Sequence, residues 1–246
     1  MGRYRLDVAY DGTAYGGWQV QPNARTVQGE LERALLTITG GAVKVHCSGR
    51  TDAGVHAREQ VAHFDLAADR SPSELLRGIN AQLDPDIRAL RVQPAPADFH
   101  ARRSATAKEY RYFIWNAPIM QPALRLYRAH VRRPLDAAAM CAAAEKLEGR
   151  HDFASFAANP MRPVESTVRN LFALRVVKRG PEVTISARGE GFLYKMARSL
   201  AGFLIKVGEG ELAPEFADLL LASARRTAVV PTAQPQGLFL WRVWYV

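Results

Sequence analysis

Hydrophobic and polar residues in the first hundred positions alternate in some segments and follow helical spacing in others. Alternation is typical of half-buried strands, and apolar residues three or four apart are typical of amphipathic helices. Thr26 is predicted to cap the first helix, and Ser71 opens a capping box with Pro72 at the first helical position. The predicted elements are a strand over 3–10, a helix from 27 to Gly40-Gly41, strands over 43–47 and 61–66, a helix from 72, and a strand over 87–92.

The same order of elements follows in the second half, after a predicted hinge or linker at residues 94–97. Its elements are a strand over 110–115, a helix from Asp136 to Gly149, a hairpin of strands 170–178 and 182–187, helices over 192–207 and 215–222, and a strand over 238–245. This repetition predicts an α+β fold with two similar ferredoxin-like or RRM-like halves, 1–103 and 104–246. In each half an antiparallel sheet is flanked by helices, and the active-site cleft is expected between the halves.

Two glycine-rich loops interrupt the hydrophobic pattern of the first half. Residues 11–19 carry Tyr15 and Trp18, which are predicted as exposed aromatics. Residues 48–57, with the sequence SGRTDAGVHA, lie between two predicted strands. Glycine lets another backbone segment or a ligand approach closely, so we expect the chemistry of the protein in this second loop.

Asp52 is the candidate catalytic residue of residues 48–57. The guanidinium of Arg50, two residues away, favours an ionised carboxylate. An ionised carboxylate can act as a nucleophile, a base or a hydrogen-bond acceptor, but it is a poor general acid. On local chemistry alone, a turn in which Asp52 caps its own backbone explains the pattern equally well.

The net charge of +9 indicates a polyanionic partner, usually nucleic acid. A generally basic proteome is the alternative explanation. The basic residues cluster, and no acid lies between Ala123 and Pro134. The clusters are Arg102, Arg103, Lys108 and Arg111, and then Arg125, Arg128, His130, Arg132 and Arg133. They are expected to contact phosphates, with Arg102 and Arg128 as the leading candidates.

The composition is that of an ordinary globular protein, and no apolar run approaches the ~20 residues that span a bilayer. Cys47 and Cys141 occupy apolar positions of predicted elements, which indicates buried thiols in a reducing cytoplasm rather than a disulfide. The six histidines show no metal-ligand spacing. We therefore expect a cytoplasmic protein without a membrane anchor.

Residues 48–57 resemble the signature of the tRNA pseudouridine synthase A family, which acts on the anticodon stem-loop. Other segments resemble the family in the same order along nearly the whole chain. They are Tyr10-Asp11-Gly12, Tyr15–Gln19, Asp98–Arg102, Ser104-Ala105, Lys108–Tyr112, Gly191–Arg198 and Gly237–Leu240. A ten-residue match supported by ordered segments is far more specific than a lone glycine motif.

The resemblance implies a homodimer that converts uridine to pseudouridine at positions 38, 39 and 40 of tRNA, without cofactor or metal. The reaction breaks the glycosidic bond, turns the base and forms a carbon–carbon bond, so the pocket must retain the detached base. Asp52 matches the catalytic carboxylate of the family. Addition to the sugar, addition to the base and removal of a sugar proton all remain open for it.

The resemblance also implies roles for Arg198, Tyr110 and Arg50. Arg198 is expected to pair with Asp52 and hold it ionised; a solvated helix arginine is the alternative. Tyr110 is expected to stack on the flipped uracil and could remove the C5 proton, unless it is a core aromatic between strands. Arg50 is expected to hold the target nucleotide out of the stack or to bind a phosphate.

The helix that carries Arg198 departs from its relatives. Tyr194-Lys195 stands where relatives often have His-His, and Ala197 stands where they have Val. Because Arg198 is kept, we expect altered RNA contacts with intact catalysis.

Two other functions are compatible with parts of the sequence. A non-catalytic tRNA-binding protein of the same fold is disfavoured by the joint presence of Asp52, Arg198 and Tyr110. A phosphate-handling enzyme that uses Gly49 to Gly54 as an anion cradle is disfavoured because the sequence has neither a P-loop lysine–serine pattern nor a carboxylate cluster for Mg²⁺.

Overall fold

The structure is a computed structural model, and it describes residues 2–158 and 165–246. The strands are β1 (Gly2–Tyr10), β2 (His46–Cys47), β3 (His56–Leu66), β4 (Ile87–Ala95), β5 (Ala105–Asn116), β6 (Ala129–Val131), β7 (Gly149–Asp152), β8 (Val168–Arg179), β9 (Glu182–Gly189) and β10 (Leu238–Tyr245). The α-helices are α1 (Val27–Thr39), α2 (Pro72–Gln82), α3 (Ala137–Lys146), α4 (Met196–Gly208) and α5 (Phe216–Ser223).

The chain divides into two compact units. The first contains Met1–Thr106 together with Phe239–Val246, and the second contains Ala107–Leu238. Strand β10 therefore belongs almost entirely to the first unit, although it is the last element of the sequence. The halves expected from the sequence, 1–103 and 104–246, and the cleft between them stay predictions.

The first unit is a mostly antiparallel sheet with helices packed on it. Its strand order is β4-β1-β3, and β2 also pairs with β3. Strand β10 pairs in parallel with the start of β3, where Phe239 lies opposite His56. Helices α1 and α2 contact each other, and α2 packs against β4. Leu6, Leu35 and Ile79 are fully buried. The predicted α+β class is confirmed.

The second unit has the same kind of construction. Its antiparallel strand order is β5-β9-β8-β7, and β6 pairs in parallel with β5. Helix α3 contacts both β8 and α4. Phe156 makes edge contacts with Phe153 at 6.0 Å and with Phe203 at 5.8 Å between ring centroids. These three buried rings form part of the core under α4.

The predicted caps of two helices are confirmed. The Thr26 hydroxyl accepts the backbone N–H of Gly29 at the start of α1, and Gly40 ends that helix with φ 75°. The Asp136 carboxylate accepts two backbone N–H groups in the first turn of α3. Such side-chain acceptors satisfy N–H groups that have no partner inside the helix.

Two predicted strand boundaries are wrong. Strand β3 begins at His56 rather than at residue 61, because Arg58, Glu59 and Gln60 obscure the alternation although they lie in the sheet. Strand β4 continues through Pro94 to Ala95, so the predicted linker begins inside a strand. Since β4 ends the described strand order, a proline there need not cost a ladder hydrogen bond.

The segment before the second glycine-rich loop contains less strand than predicted. Val43 and Val45 are buried, but β2 contains only His46–Cys47. Alternating burial can therefore arise in an irregular segment that lies against a core.

The predicted start of α2 at Pro72 is confirmed, but its predicted capping box and the predicted start of α4 are wrong. The Ser71 hydroxyl makes no capping hydrogen bond and lies 2.9 Å from the Ser73 hydroxyl instead. Helix α4 begins at Met196, four residues after the predicted start at 192. Lys195 has φ 60°, a left-handed conformation that interrupts a regular helix.

None of the helices in the described ranges is long and apolar enough to cross a membrane. Cys47 and Cys141 are half-buried thiols rather than fully buried ones.

Candidate active site

Residues 48–57 include the loop that joins β2 to β3, residues 48–55, and the first two residues of β3. The loop is anchored to β3. The N–H of Ser48 donates to the carbonyl of Val61 at 2.7 Å. The side-chain amide of Gln60, which is fully buried, donates to the carbonyl of Gly49 at 2.7 Å. Strand β3 therefore fixes the start of the loop through both backbone and side-chain contacts.

Thr51, immediately before Asp52, is held on two sides. Its hydroxyl lies 2.9 Å from the hydroxyl of Tyr10. Its carbonyl accepts the N–H of Trp18 at 3.0 Å. Thr51 is buried, so these contacts fix the backbone from which the next side chain projects.

Asp52 is half-buried and begins a tight turn. Its carbonyl accepts the N–H of Val55 at 3.2 Å, and Gly54 has φ 75°. The N–H of Gly54 donates to the carbonyl of Tyr15 at 3.4 Å. Because both sides of the turn are tied to the 11–19 loop, tertiary contacts set the backbone position of Asp52.

Glycines of the 11–19 loop allow it to lie directly against residues 48–57. A Cβ atom on Gly12 would lie 2.0 Å from the carbonyl oxygen of Val55. Gly17 has φ 101°, and a Cβ there would lie 2.7 Å from the carbonyl oxygen of Thr51. Only a residue without a side chain permits such close approach of two backbones.

Tyr15 and Trp18 are buried, so their expected exposure is wrong. The Tyr15 hydroxyl donates to the carboxylate of Asp86 at 2.6 Å, and the Trp18 ring lies 6.1 Å from the ring of Tyr10. Both rings pack within the first unit and support the 11–19 loop. The sequence analysis did not predict that Tyr10 and Gln60 hold residues 48–57. The available signal was a polar group at a position within a predominantly apolar strand.

A cluster of histidines lies in the same unit. The His63 ring is 5.1 Å from the ring of His46 and 4.7 Å from that of His100. The Nδ1 atom of His63 accepts the N–H of Ala101 at 3.2 Å. Burial, and secondarily the charges of His100 and His46, lower the pKa of His63 to about 4.

This cluster predicts an acid-sensitive fold. An unfolded histidine has a pKa of about 6.5, so the unfolded chain binds the proton first as the pH falls. Stability is expected to decrease between about pH 6.5 and pH 4, by up to roughly 3 kcal/mol for His63 alone. Urea unfolding of the wild type and of His63→Leu, with His130→Gln as control, measures this. If the free energy of unfolding of His63→Leu depends on pH as steeply as that of the wild type, the assignment of the acid sensitivity to His63 is contradicted.

Tyr110 and Arg198 lie in the second unit. Tyr110, on β5, is 8% exposed and makes an edge contact with Phe192 at 4.9 Å between ring centroids. Arg198, on α4, is half-buried, and its Nε donates to the carbonyl of Ala233 at 2.8 Å. Arg198 is therefore held by the backbone and is not simply a solvated helix arginine. Its expected pairing with Asp52 stays a prediction.

The predicted basic residues differ in their surroundings. Arg50 and Arg102 are exposed. Arg128 is half-buried; its Nε is 3.0 Å from both carboxylate oxygens of Glu182, and its guanidinium lies over the ring of Phe113. The fold thus supplies Arg128 with an acid that its own stretch of sequence lacks, which makes it the weaker phosphate candidate.

Among the described residues, no group of three or more His, Cys, Asp and Glu side chains is arranged to hold a metal ion.

Comparison of the sequence with known proteins identifies the family of this chain. A family model described as tRNA pseudouridine synthase matches residues 8–102 and 143–246. The chain belongs to this family. The matched ranges include Asp52, Arg50, Arg102 and Arg198, whereas Tyr110 lies between them.

Individual relatives are similar to this chain over its full length or nearly so. The chain is 45% identical to a protein of Brevibacillus brevis over 245 residues, which is 100% of both chains. It is 44% identical to a protein of Geobacillus kaustophilus, covering 99% of this chain and 94% of the relative. It is 43% identical to a protein of Listeria innocua over 100% of both. Each of these relatives is named tRNA pseudouridine synthase A.

Proposed function

We propose that this protein isomerises uridine to pseudouridine in tRNA, at positions 38, 39 and 40 of the anticodon stem-loop, with Asp52 as the catalytic carboxylate. The observation that carries the proposal is the framed turn at Asp52, which lies within the segment matched by the family model. Full-length relatives named tRNA pseudouridine synthase A support the reaction and the class of substrate.

The contacts that hold the turn at Asp52 in place are suited to the proposed isomerisation. Isomerisation detaches uracil and reattaches it through C5, so the catalytic group must keep its position while the base turns. Holding a reacting group in place lowers the barrier by removing an entropic cost from the chemical step. The contacts of Thr51 and Gly54 supply this without using the Asp52 side chain.

Arg198 and Tyr110 complete the proposed site. Arg198 holds Asp52 ionised, because a nearby guanidinium favours the charged carboxylate. Tyr110 stacks on the flipped uracil, a contact that contributes roughly 1–3 kcal/mol per base. Its phenol oxygen takes the C5 proton late in the reaction, while its own O–H proton passes to solvent.

The remaining proposed contacts position the tRNA. Exposed Arg50 holds the target nucleotide out of its stack or binds a phosphate, and exposed Arg102 binds phosphates. Arg128 binds a phosphate only if it exchanges Glu182 for it. Binding through phosphates makes the affinity for tRNA fall steeply as the salt concentration rises.

We also propose that the enzyme works in the cytoplasm as a homodimer.

Release of tritium from tRNA labelled at C5 of uridine tests this function. Isomerisation replaces the C5–H bond by the new glycosidic bond, so wild-type protein is expected to release one tritium per pseudouridine formed. Binding of tRNA without tritium release would instead identify a non-catalytic tRNA-binding protein.

Tyr110→Phe separates the two proposed roles of this residue. Phenylalanine keeps a stacking ring but has no hydroxyl to accept a proton. We expect the rate of tritium release to fall by about 100-fold, as for loss of a general base, with tRNA affinity nearly unchanged. Tyr127→Phe, a half-buried tyrosine of the same unit, is the control. Full activity of Tyr110→Phe leaves only the stacking role.

A further inference from the structure

Arg226, which follows α5, joins three segments of the second unit. Its Nη1 donates to the hydroxyl of Ser199 on α4 at 2.9 Å and to the carbonyl of Phe156 at 3.3 Å. Its Nη2 donates to the hydroxyl of Thr232 at 2.7 Å and to the carbonyl of Val230 at 3.4 Å. The guanidinium therefore bridges α4 and the segment of residues 225–234.

These partners are all neutral. Within the described chain, no carboxylate lies at ion-pair distance from Arg226, and burial lowers its pKa. Arg226 is half-buried, so it loses part of its hydration without gaining an opposite charge, and its hydrogen bonds offset part of that cost.

The bridged hydroxyls stand next to a second contact between the same two segments. Ser199 follows Arg198 in the chain, and Thr232 precedes Ala233. Arg198 and Ala233 exchange two hydrogen bonds. The Nε of Arg198 donates to the carbonyl of Ala233 at 2.8 Å, and the N–H of Ala233 donates to the carbonyl of Arg198 at 3.1 Å.

Helix α4 also leaves room for this segment. A Cβ atom on Gly202 would lie 2.2 Å from the carbonyl oxygen of Pro231. The segment thus lies directly on the helix, and Arg226 locks it one residue away from the contact that orients Arg198.

We infer that Arg226 is a positioning residue for Arg198: it fixes residues 230–233 against α4, so that the Ala233 carbonyl holds the Arg198 guanidinium in one orientation. This inference rests on the proposed function, in which Arg198 serves the Asp52 carboxylate. The planar fork of arginine suits the role, because its two terminal nitrogens reach two hydroxyls at once; the single nitrogen of lysine does not.

A double-mutant cycle tests the inference. Single-turnover tritium release and tRNA affinity are measured for Arg226→Gln, Arg198→Gln and the double variant. Arg226→Gln is expected to slow the chemical step by about 10- to 100-fold, since small displacements of a reacting group have effects of this size. Its tRNA affinity is expected to stay within about twofold of wild type.

The interaction between the two variants decides between positioning and general support. If Arg226 acts through Arg198, the double variant is as slow as Arg198→Gln alone. Independent effects that multiply, or full activity of Arg226→Gln, would overturn the inference. Arg225→Gln, an exposed neighbour, is the matched control and is expected to behave as wild type.

Thr232→Val provides the same test with a smaller change, and it decides the matter if Arg226→Gln does not fold. It removes one acceptor of the bridge, so it is expected to slow the reaction in the wild-type background and to have no effect in Arg198→Gln. An equal effect in both backgrounds would contradict positioning through Arg198.

A readout independent of activity separates this inference from the proposed function. The Nε–H proton of Arg198, followed by NMR, is expected to exchange slowly in wild type and rapidly in Arg226→Gln and Thr232→Val. If wild type forms no pseudouridine, the proposed function fails, and the exchange rates still decide whether Arg226 holds Arg198. Unchanged exchange in both variants would overturn the positioning role.

Discussion

Asp52→Asn is expected to abolish tritium release from C5-labelled tRNA while tRNA binding survives. Asparagine has the same shape but no charge, so it cannot act as a nucleophile or a base. We expect at least about a 1,000-fold loss of the single-turnover rate, the scale of losing a group central to catalysis. The contacts that frame the turn come from Thr51 and Gly54, so the loop is expected to keep its conformation.

Asp69→Asn is the matched control for this variant, because it changes an exposed carboxylate of the same unit. It is expected to retain wild-type activity. Substantial turnover by Asp52→Asn, in protein shown to be free of wild type, would remove Asp52 from its proposed role.

Gly12→Ala is expected to damage both the fold and the reaction. A methyl group 2.0 Å from the Val55 carbonyl oxygen must displace backbone, either in the 11–19 loop or in residues 48–57. We expect a loss of about 3 kcal/mol in the free energy of unfolding, at the upper end for overpacking. The folded fraction is expected to lose about 100-fold in rate, because moving either segment disturbs the contacts that hold the turn at Asp52.

Gly41→Ala distinguishes this effect from a general cost of replacing glycine. A Cβ atom on Gly41 would meet nothing within 4 Å. Its stability is expected to change by about 0.5 kcal/mol or less, with unchanged activity. Equal stability and activity of the two variants would contradict the close approach at Gly12.

The sequence predicted elements best where local chemistry decides them. The caps at Thr26 and Asp136 depend on side-chain oxygens within three residues of the groups they bind, so the sequence contains the whole interaction. The late start of α4 depends on the left-handed conformation of Lys195, which its residue type does not favour. The buried but irregular segment at Val43 and Val45 likewise depends on tertiary packing.

The candidate site shows the same division. The glycines and the charged pair of residues 48–57 predicted a functional loop, and family resemblance supplied the roles. The framing of that loop by Tyr10 and Trp18 joins residues more than thirty positions apart. The sequence around Arg128 has no acid, yet Glu182, 54 residues away, pairs with it. Local charge patterns cannot anticipate such contacts.

Position-resolved mapping of pseudouridine tests the central claim most directly. An unmodified tRNA transcript with uridines at positions 38, 39 and 40 is incubated with wild-type protein and, in parallel, with Asp52→Asn. The account predicts pseudouridine at these three positions with the wild type and none with the variant. No conversion by folded wild-type protein, or equal conversion by Asp52→Asn, would contradict it.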